Sequence, residues 1–293
     1  MADMSRPPRV SAIIIVYNGD RYLGEAIDSV LSQTFPDWEL IIADDGSVDR
    51  SREIARDYAA RHPEHIRAIA HPDGGNHGMS ATRNLGIAEA RAPLIGFLDC
   101  DDIWLSGKLA EQVDLLDRHP DAQMIYGRTL IWHSWQTGNV GDDFFYDLGT
   151  TPDRLIAAPQ LLTLLLENKS QTPTTCNALM RSAFLRELGG FENRFRGMFE
   201  DQVFFAKALL EAPAYVSSRN WAQYRQHKES FSAKSAGRGG DGRARLAFLM
   251  WLAGYVVRRA PWQLGVLMQT ARLVARECWA IARPRRPAWL RTR

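Results

Sequence analysis

Cysteine is scarce in this chain of 293 residues: Cys100, Cys176 and Cys278 are odd in number and far apart. Their spacing gives neither a zinc site nor a disulfide framework, so a reducing, cytoplasmic setting is expected. Apolar runs are short. None reaches the roughly 20 residues of a membrane-spanning helix, and VSAIIIV near the N-terminus is too short, and too close to charged strand-like sequence, for a signal peptide. A Walker A lysine pattern, a complete G-x-G-x-x-G, repeats of fixed period and low-complexity segments are all missing. No nucleic-acid recognition module is present either, which removes nucleic acid as an expected partner. Net charge is also small, at +2, but it is unevenly spread. Lys234 to Arg293 holds 13 basic and 2 acidic residues, leaving 23 basic and 32 acidic in the rest. A basic tail on a mildly acidic body calls for an anionic partner.

What is present is an alternation of strand and helix patterns. Val10–Tyr17 is a β-branched run ending at the turn signal Asn18-Gly19. Asp20 opens a helical pattern with Leu23, Ile27, Val30 and Leu31 on one face. Strands are expected at Trp38–Ala43, Ile66–Ala70, Leu94–Leu98 and Gln123–Trp132. Helices are expected at Val48–Arg61 (with Ser47 as N-cap), Ser80–Ala90 and about Ser106–His119. This order predicts an α/β fold with a mostly parallel, doubly wound sheet. Residues 133–158 are loop-rich, Ala158–Glu167 reads as a helix, and 172–233 reads as irregular pieces including a helix at Glu200–Leu210.

The chemistry concentrates at Pro93–Trp104, PLIGFLDCDDIW, where a buried strand ends in Asp99, Asp101 and Asp102. Carboxylates crowded there repel one another unless a cation holds them, and hard divalent cations prefer oxygen ligands. Strand ends are also where α/β sheets place ligands. The alternative is that Asp101 or Asp102 merely caps the next helix. A second acidic pair, Asp44-Asp45-Gly46-Ser47, ends another strand; it is either a turn with a cap or an acceptor for the ring N–H of a base. Gly74, Gly75, Gly78, Ser80, Arg83 and Asn84 form a loop entering a helix, where Arg83 offers a planar fork to phosphate or base. Glu200-Asp201 opens a later helix, suiting either the helix dipole or a general base in a cleft. Arg225, His227, Ser230 and Ser232 add a polar set that could meet a diphosphate.

Taken in order, VSAIIIVYNG, ADDGS, SATRNLGIAEA, LDCDDIW and FEDQVFFAK resemble the signature of the family-two glycosyltransferases, over about Val10–His227. That resemblance implies a GT-A fold and inverting transfer of a sugar from a nucleotide-diphosphate sugar, with Mn2+ or Mg2+ on the diphosphate. It implies that Tyr17 and Asp45 contact the base with Arg83 nearby, that Asp99, Asp101 and Asp102 serve ribose and metal (Asp101 and Asp102 as the metal ligands), and that Asp201 is the catalytic base. Arg225 and His227 would approach the diphosphate. Ile15 departs from the Pro or Thr often found two residues before Tyr17. The Q-x-x-R-W string of polymer-making members is absent, which points to addition of one sugar. A UDP- or dTDP-type donor is expected, and the basic, Trp-rich tail alone suggests a glycan or lipid-linked hydroxyl as acceptor. FLDCDDIW also resembles the Asp-x-Asp of haloacid-dehalogenase phosphatases with Asp99 as nucleophile, but that class carries the motif on its first strand. A non-catalytic binding module on the same fold is the other alternative.

The expected organisation is a catalytic domain over 1–233, with a nucleotide-binding half to about 132 and an acceptor half from 133, followed by a basic, Trp-rich helical extension over 234–293. In the extension Leu246–Val257 is followed by a break at Pro261-Trp262 and a helix over about Gln263–Ala282, with Leu264, Leu267, Met268, Ala271 and Val274 on one face. Trp251, Trp262, Trp279 and Trp289 among arginines suit an anionic membrane surface contacted through 243–293, on the cytoplasmic side. Packing onto the catalytic domain, or onto a second copy, are the alternatives.

Overall fold

A computed structural model of the chain describes residues 7–136, 141–236 and 241–282. Trp289 and the rest of the tail after 282 lie outside the described residues. Two compact units result. The first runs to Arg196 and resumes over Glu200–His227; the second comprises Gly197–Phe199 and the described residues from Lys228 onward.

In the first unit the β-branched run becomes β1 (Val10–Val16), buried along its whole length. A strand apolar on both faces belongs in the middle of a covered sheet. Parallel neighbours flank β1, namely β2 (Trp38–Asp44) and β4 (Leu94–Asp99), with β3 (Ile66–Ala70) outside β2. The crossovers are α1 (Asp20–Leu31), α2 (Ser51–Arg61) and α3 (Met79–Glu89). Helix α3 packs tightly because of Gly86: a Cβ there would lie 2.5 Å from Ile13 Cγ2.

Beyond β4 the sheet becomes mixed. After β5 (Ile103–Trp104) and α4 (Lys108–Arg118) come β6 (Met124–Trp132), β7 (Arg154–Ile156), α5 (Gln160–Glu167), β8 (Leu179–Arg181), α6 (Ser182–Glu187), α7 (Glu200–Glu211) and β9 (Ala214–Arg225). The sheet order is β3-β2-β1-β4-β8-β6-β9-β5, with β7 also on β9. Short β8 runs antiparallel to both β4 and β6, whereas β6 and β9 are parallel. Neither the expected cap nor the alternative one is formed. Helix α2 starts at Ser51, and Ser47 Oγ instead accepts the N–H of Asn18 at 3.0 Å. Helix α4 starts at Lys108 after Gly107 with no side-chain cap, so neither Asp101 nor Asp102 serves one.

The second unit contains α8 (Phe231–Ala236) and a helical hairpin, α9 (Asp241–Arg259) and α10 (Leu264–Ala282). Arg245 near the start of α9 pairs with Glu277 near the end of α10 at 3.4 Å, which fixes the two helices as antiparallel. The face expected from spacing splits. Leu264, Met268 and Ala271 are exposed, Leu267 and Val274 are half-buried, and Val266 and Thr270 are the buried positions of α10. Among the described residues no helix is long and apolar enough to cross a membrane.

Candidate functional site

The parallel register brings the chain's acidic strand ends to one edge. Val16 pairs with Asp44, and Ile15 with Asp99, so Tyr17, Asp44-Asp45 and Asp99–Asp102 all follow the ends of neighbouring strands. The Tyr17 side chain is 52% exposed at this edge. Asp45 is buried, and both its oxygens are engaged: Oδ1 accepts the N–H of His77 at 2.7 Å, and Oδ2 accepts Asn76 Nδ2 and the N–H of Gly78, each at 2.9 Å. Asp45 therefore holds the Gly-rich loop. Gly46, at φ +80°, permits the close approach, since a Cβ there would sit 2.7 Å from the Gly75 carbonyl carbon. Asp44 accepts Arg52 Nη2 at 2.8 Å and lines a cavity of about 390 Å3 with Arg52, Arg56, His71 and Asp73.

At the end of β4, Asp99 Oδ1 accepts Arg83 Nη2 at 2.7 Å and Oδ2 accepts the Thr175 hydroxyl at 2.9 Å. Arg83 is not an open fork. It is buried on α3 between Asp99 and Glu200, whose Oε1 accepts its Nη1 at 2.5 Å. The physical reason is burial: a guanidinium 2% exposed requires carboxylate partners. Burial opposes its charge, yet Glu200 and Asp99 raise its pKa above the usual value.

Arg225 is likewise enclosed rather than free for a diphosphate. Its guanidinium lies 4.7 to 5.0 Å from the ring centroids of Trp132, Trp135 and Tyr22, and it donates to Asp101 O and Glu25 Oε2. Aromatic faces attract such a cation strongly when water is excluded. The adjoining chain places His227 Nε2 3.0 Å from Asp101 Oδ2. Asp102 is 1% exposed, with Oδ1 accepting the Arg225 N–H at 3.0 Å and Oδ2 buried without a partner. Burial, and then the charges of Asp101 and Asp99, raise its pKa well above the carboxylate range.

These residues fit a hard divalent cation in a limited way. Among the described residues no group of three His, Cys, Asp or Glu side chains is arranged to hold a metal ion. Asp101 and His227 do converge, with the buried Asp102 carboxyl behind them. Mg2+ and similar ions commonly take one or two protein ligands and fill the rest with phosphate oxygens and water. Of the two expected ligands Asp102 is buried, while Asp101 is partly exposed with His227 beside it.

Asp201 lies in the first turn of α7 and is half-buried, with Oδ1 accepting the N–H of Gln202 at 2.8 Å. Burial raises its pKa, against the pull of Arg83. Its neighbour Glu200 is pushed up to about 7, by burial first. Thr175 and Glu25 were not marked by any motif: each reaches the site through a contact 76 or 200 residues away in sequence.

Comparison with known proteins gives the family and the fold. A family model for glycosyl transferase family 2 matches residues 11–189. EpsE of Bacillus subtilis (strain 168), provisionally named a glycosyltransferase, is 36% identical over 122 residues, which are 42% of this chain and 43% of EpsE. The match thus spans less than half of that curated relative. S. aureus TarS in complex with UDP-GlcNAc superposes with a TM-score of 0.69 at 19% identity, over 92% of this chain and 71% of the other. Mannosyltransferase PcManGT from Pyrobaculum calidifontis, in complex with GDP-Man and Mn2+, gives 0.59 at 18% identity, over 96% and 78%. At such identities the likeness is one of fold.

Proposed function

Because the chain belongs to glycosyl transferase family 2 and has a GT-A-like fold, we propose that it is an inverting transferase moving one sugar from a UDP- or dTDP-type donor to a hydroxyl acceptor. The observation that carries this is the link from the acidic cluster to α7: Arg83 joins Asp99 at the end of β4 to Glu200, the neighbour of Asp201, a half-buried carboxylate of raised pKa in the first turn of α7. Tyr17 stacks on the base, and Asp45 shapes the base site through the loop it holds. Asp99 and Asp101 serve the ribose and diphosphate side, while Asp101 and His227, with Asp102 behind them, would hold Mn2+ or Mg2+. Such an ion, when bound, neutralises charge on the leaving diphosphate.

Asp201 takes the proton of the acceptor hydroxyl. The hydroxyl oxygen then forms the new bond to the anomeric carbon while the bond to the diphosphate oxygen breaks, its electron pair leaving with the diphosphate. A single displacement inverts the anomeric centre and needs no enzyme nucleophile. A base with a raised pKa is better matched to this proton than an ordinary aspartate. Phosphatase chemistry with Asp99 as nucleophile is disfavoured, because Arg83 and Thr175 occupy both its oxygens. In this reading the donor part of the first unit reaches to about 132, and its acceptor part covers about 133–196 and 200–227.

For the acceptor, the second unit favours a glycan or lipid-linked molecule at an anionic cytoplasmic membrane surface. Leu264, Met268, Ala271, Ala275 and Trp279 form an exposed stripe along α10 beside Arg272 and Arg276, and Trp262 is 72% exposed before it. Apolar stripes edged by arginine suit a lipid interface. The test of the donor reading is calorimetric titration of UDP, dTDP, GDP and CDP with Mn2+ and with chelator. Metal-dependent binding of UDP or dTDP is expected; binding of none of the four under either condition would overturn the transferase reading.

A further inference from the structure

One helix of the nucleotide side grips the chain that leads to Asp201. From α3, Ser80 Oγ donates to Phe195 O at 3.1 Å, and Asn84 both donates to Phe191 O at 2.9 Å and accepts the Phe191 N–H at 2.8 Å. Arg83 lies between these two, and its fork spans Asp99 at the end of β4 and Glu200 at the start of α7. Arg83 and Glu200 side chains are 2% and 6% exposed, so water cannot substitute for either partner. A lysine could not reproduce this contact: a guanidinium presents donors in a fixed plane, whereas an ammonium is a point charge.

We propose that Arg83 is a positioning residue whose buried bridge to Asp99 and Glu200 sets Asp201 against the acidic cluster, with Glu200 as its obligate partner. This rests on the reading of Asp201 as base. The bridge meets the donor side only through Asp99, which keeps its Thr175 hydrogen bond when Arg83 is changed, so its loss acts on the attacking geometry more than on donor affinity. Displacement of a reacting group by about 1 Å is enough to cost on the order of 100-fold in rate.

The experiment compares Arg83→Lys, Glu200→Gln and Asp201→Asn, using the donor selected by the nucleotide titration with Mn2+. Turnover is read as nucleoside diphosphate release, and affinity as the calorimetric Kd for the nucleoside diphosphate. Arg83→Lys and Glu200→Gln should each lower kcat by roughly 10- to 100-fold while the Kd stays within about threefold. Their double variant should lose little more than either alone, as expected for residues acting as one unit. A purely structural role would instead lower the stoichiometry of nucleotide binding together with kcat. That result, or wild-type kcat in both variants while Asp201→Asn is inactive, overturns the positioning role alone. Wild-type turnover by Asp201→Asn overturns the base assignment, and this proposal with it. Should Arg83→Lys not fold, Glu200→Gln decides, since it keeps the shape of the side chain and one acceptor oxygen while removing its charge.

Discussion

His227 Nε2 and Asp101 Oδ2 lie 3.0 Å apart across 126 residues of sequence, the end of β9 having been brought to the end of β4. A nitrogen and a carboxylate oxygen so placed can share a proton or share a cation. Asp101→Asn and His227→Ala should therefore each weaken nucleotide binding in Mn2+ by about 10- to 100-fold, the scale of loss that follows damage to a metal site. In chelator they should bind as the wild type does. Equal loss with and without metal would mean that the pair is only a hydrogen bond.

Asp201→Asn should leave nucleotide binding unchanged and lower transfer by about 100- to 10,000-fold, the range for removal of a general base. In the wild type, activity should fall on the acid side with a midpoint above the ordinary 3.8 of an aspartate, because burial raises the pKa and the base works only when deprotonated. A rate that is flat down to pH 4 would contradict this.

Glu200 gives a pH dependence of stability. It faces Arg83, Ser80, Asp201 and Asp99, and burial lifts its pKa from 4.5 to about 7. The folded state therefore holds this proton more tightly than the unfolded chain does. Its contribution is complete below about pH 4.5 and is lost as the pH rises through about 7. Glu200→Gln, which mimics the protonated form, should gain stability relative to wild type between pH 5 and pH 8, by up to about 3 kcal/mol. Urea denaturation at the two pH values measures it; a constant difference would show that Arg83 keeps Glu200 ionised throughout.

Leu264→Glu with Met268→Glu places charge on the exposed side of α10 without touching its buried positions. Sedimentation with anionic liposomes should be lost in this variant and weakened in the wild type by high salt. Wild-type sedimentation by the variant would sink the membrane reading. A change in oligomeric state instead would identify the stripe as a contact between copies.

Much of the first unit was legible because its signals are local. β-branched runs marked β1 and β2, and strand-end carboxylates marked the edge where Asp45 and Asp99–Asp102 collect. The site's wiring was not legible in the same way. Arg83 looks like an open phosphate-binding fork until its burial between two carboxylates is known, and Arg225 looks free until three aromatic rings close around it. Thr175 carries no signal at all, because its value is a single hydrogen bond to a residue far away in sequence. Along α10, periodicity located a face but could not tell which of two apolar sides is covered.

The short strand β8 has a mechanical consequence. It is hydrogen-bonded to β4 on one side and to β6 on the other, so the strands that carry Asp99 and those that lead to His227 belong to one continuous sheet. The two sides of β8 cannot swing apart like jaws without tearing main-chain bonds in the middle of the core. Movement within this first unit therefore falls to its surface loops, with a rigid floor beneath them.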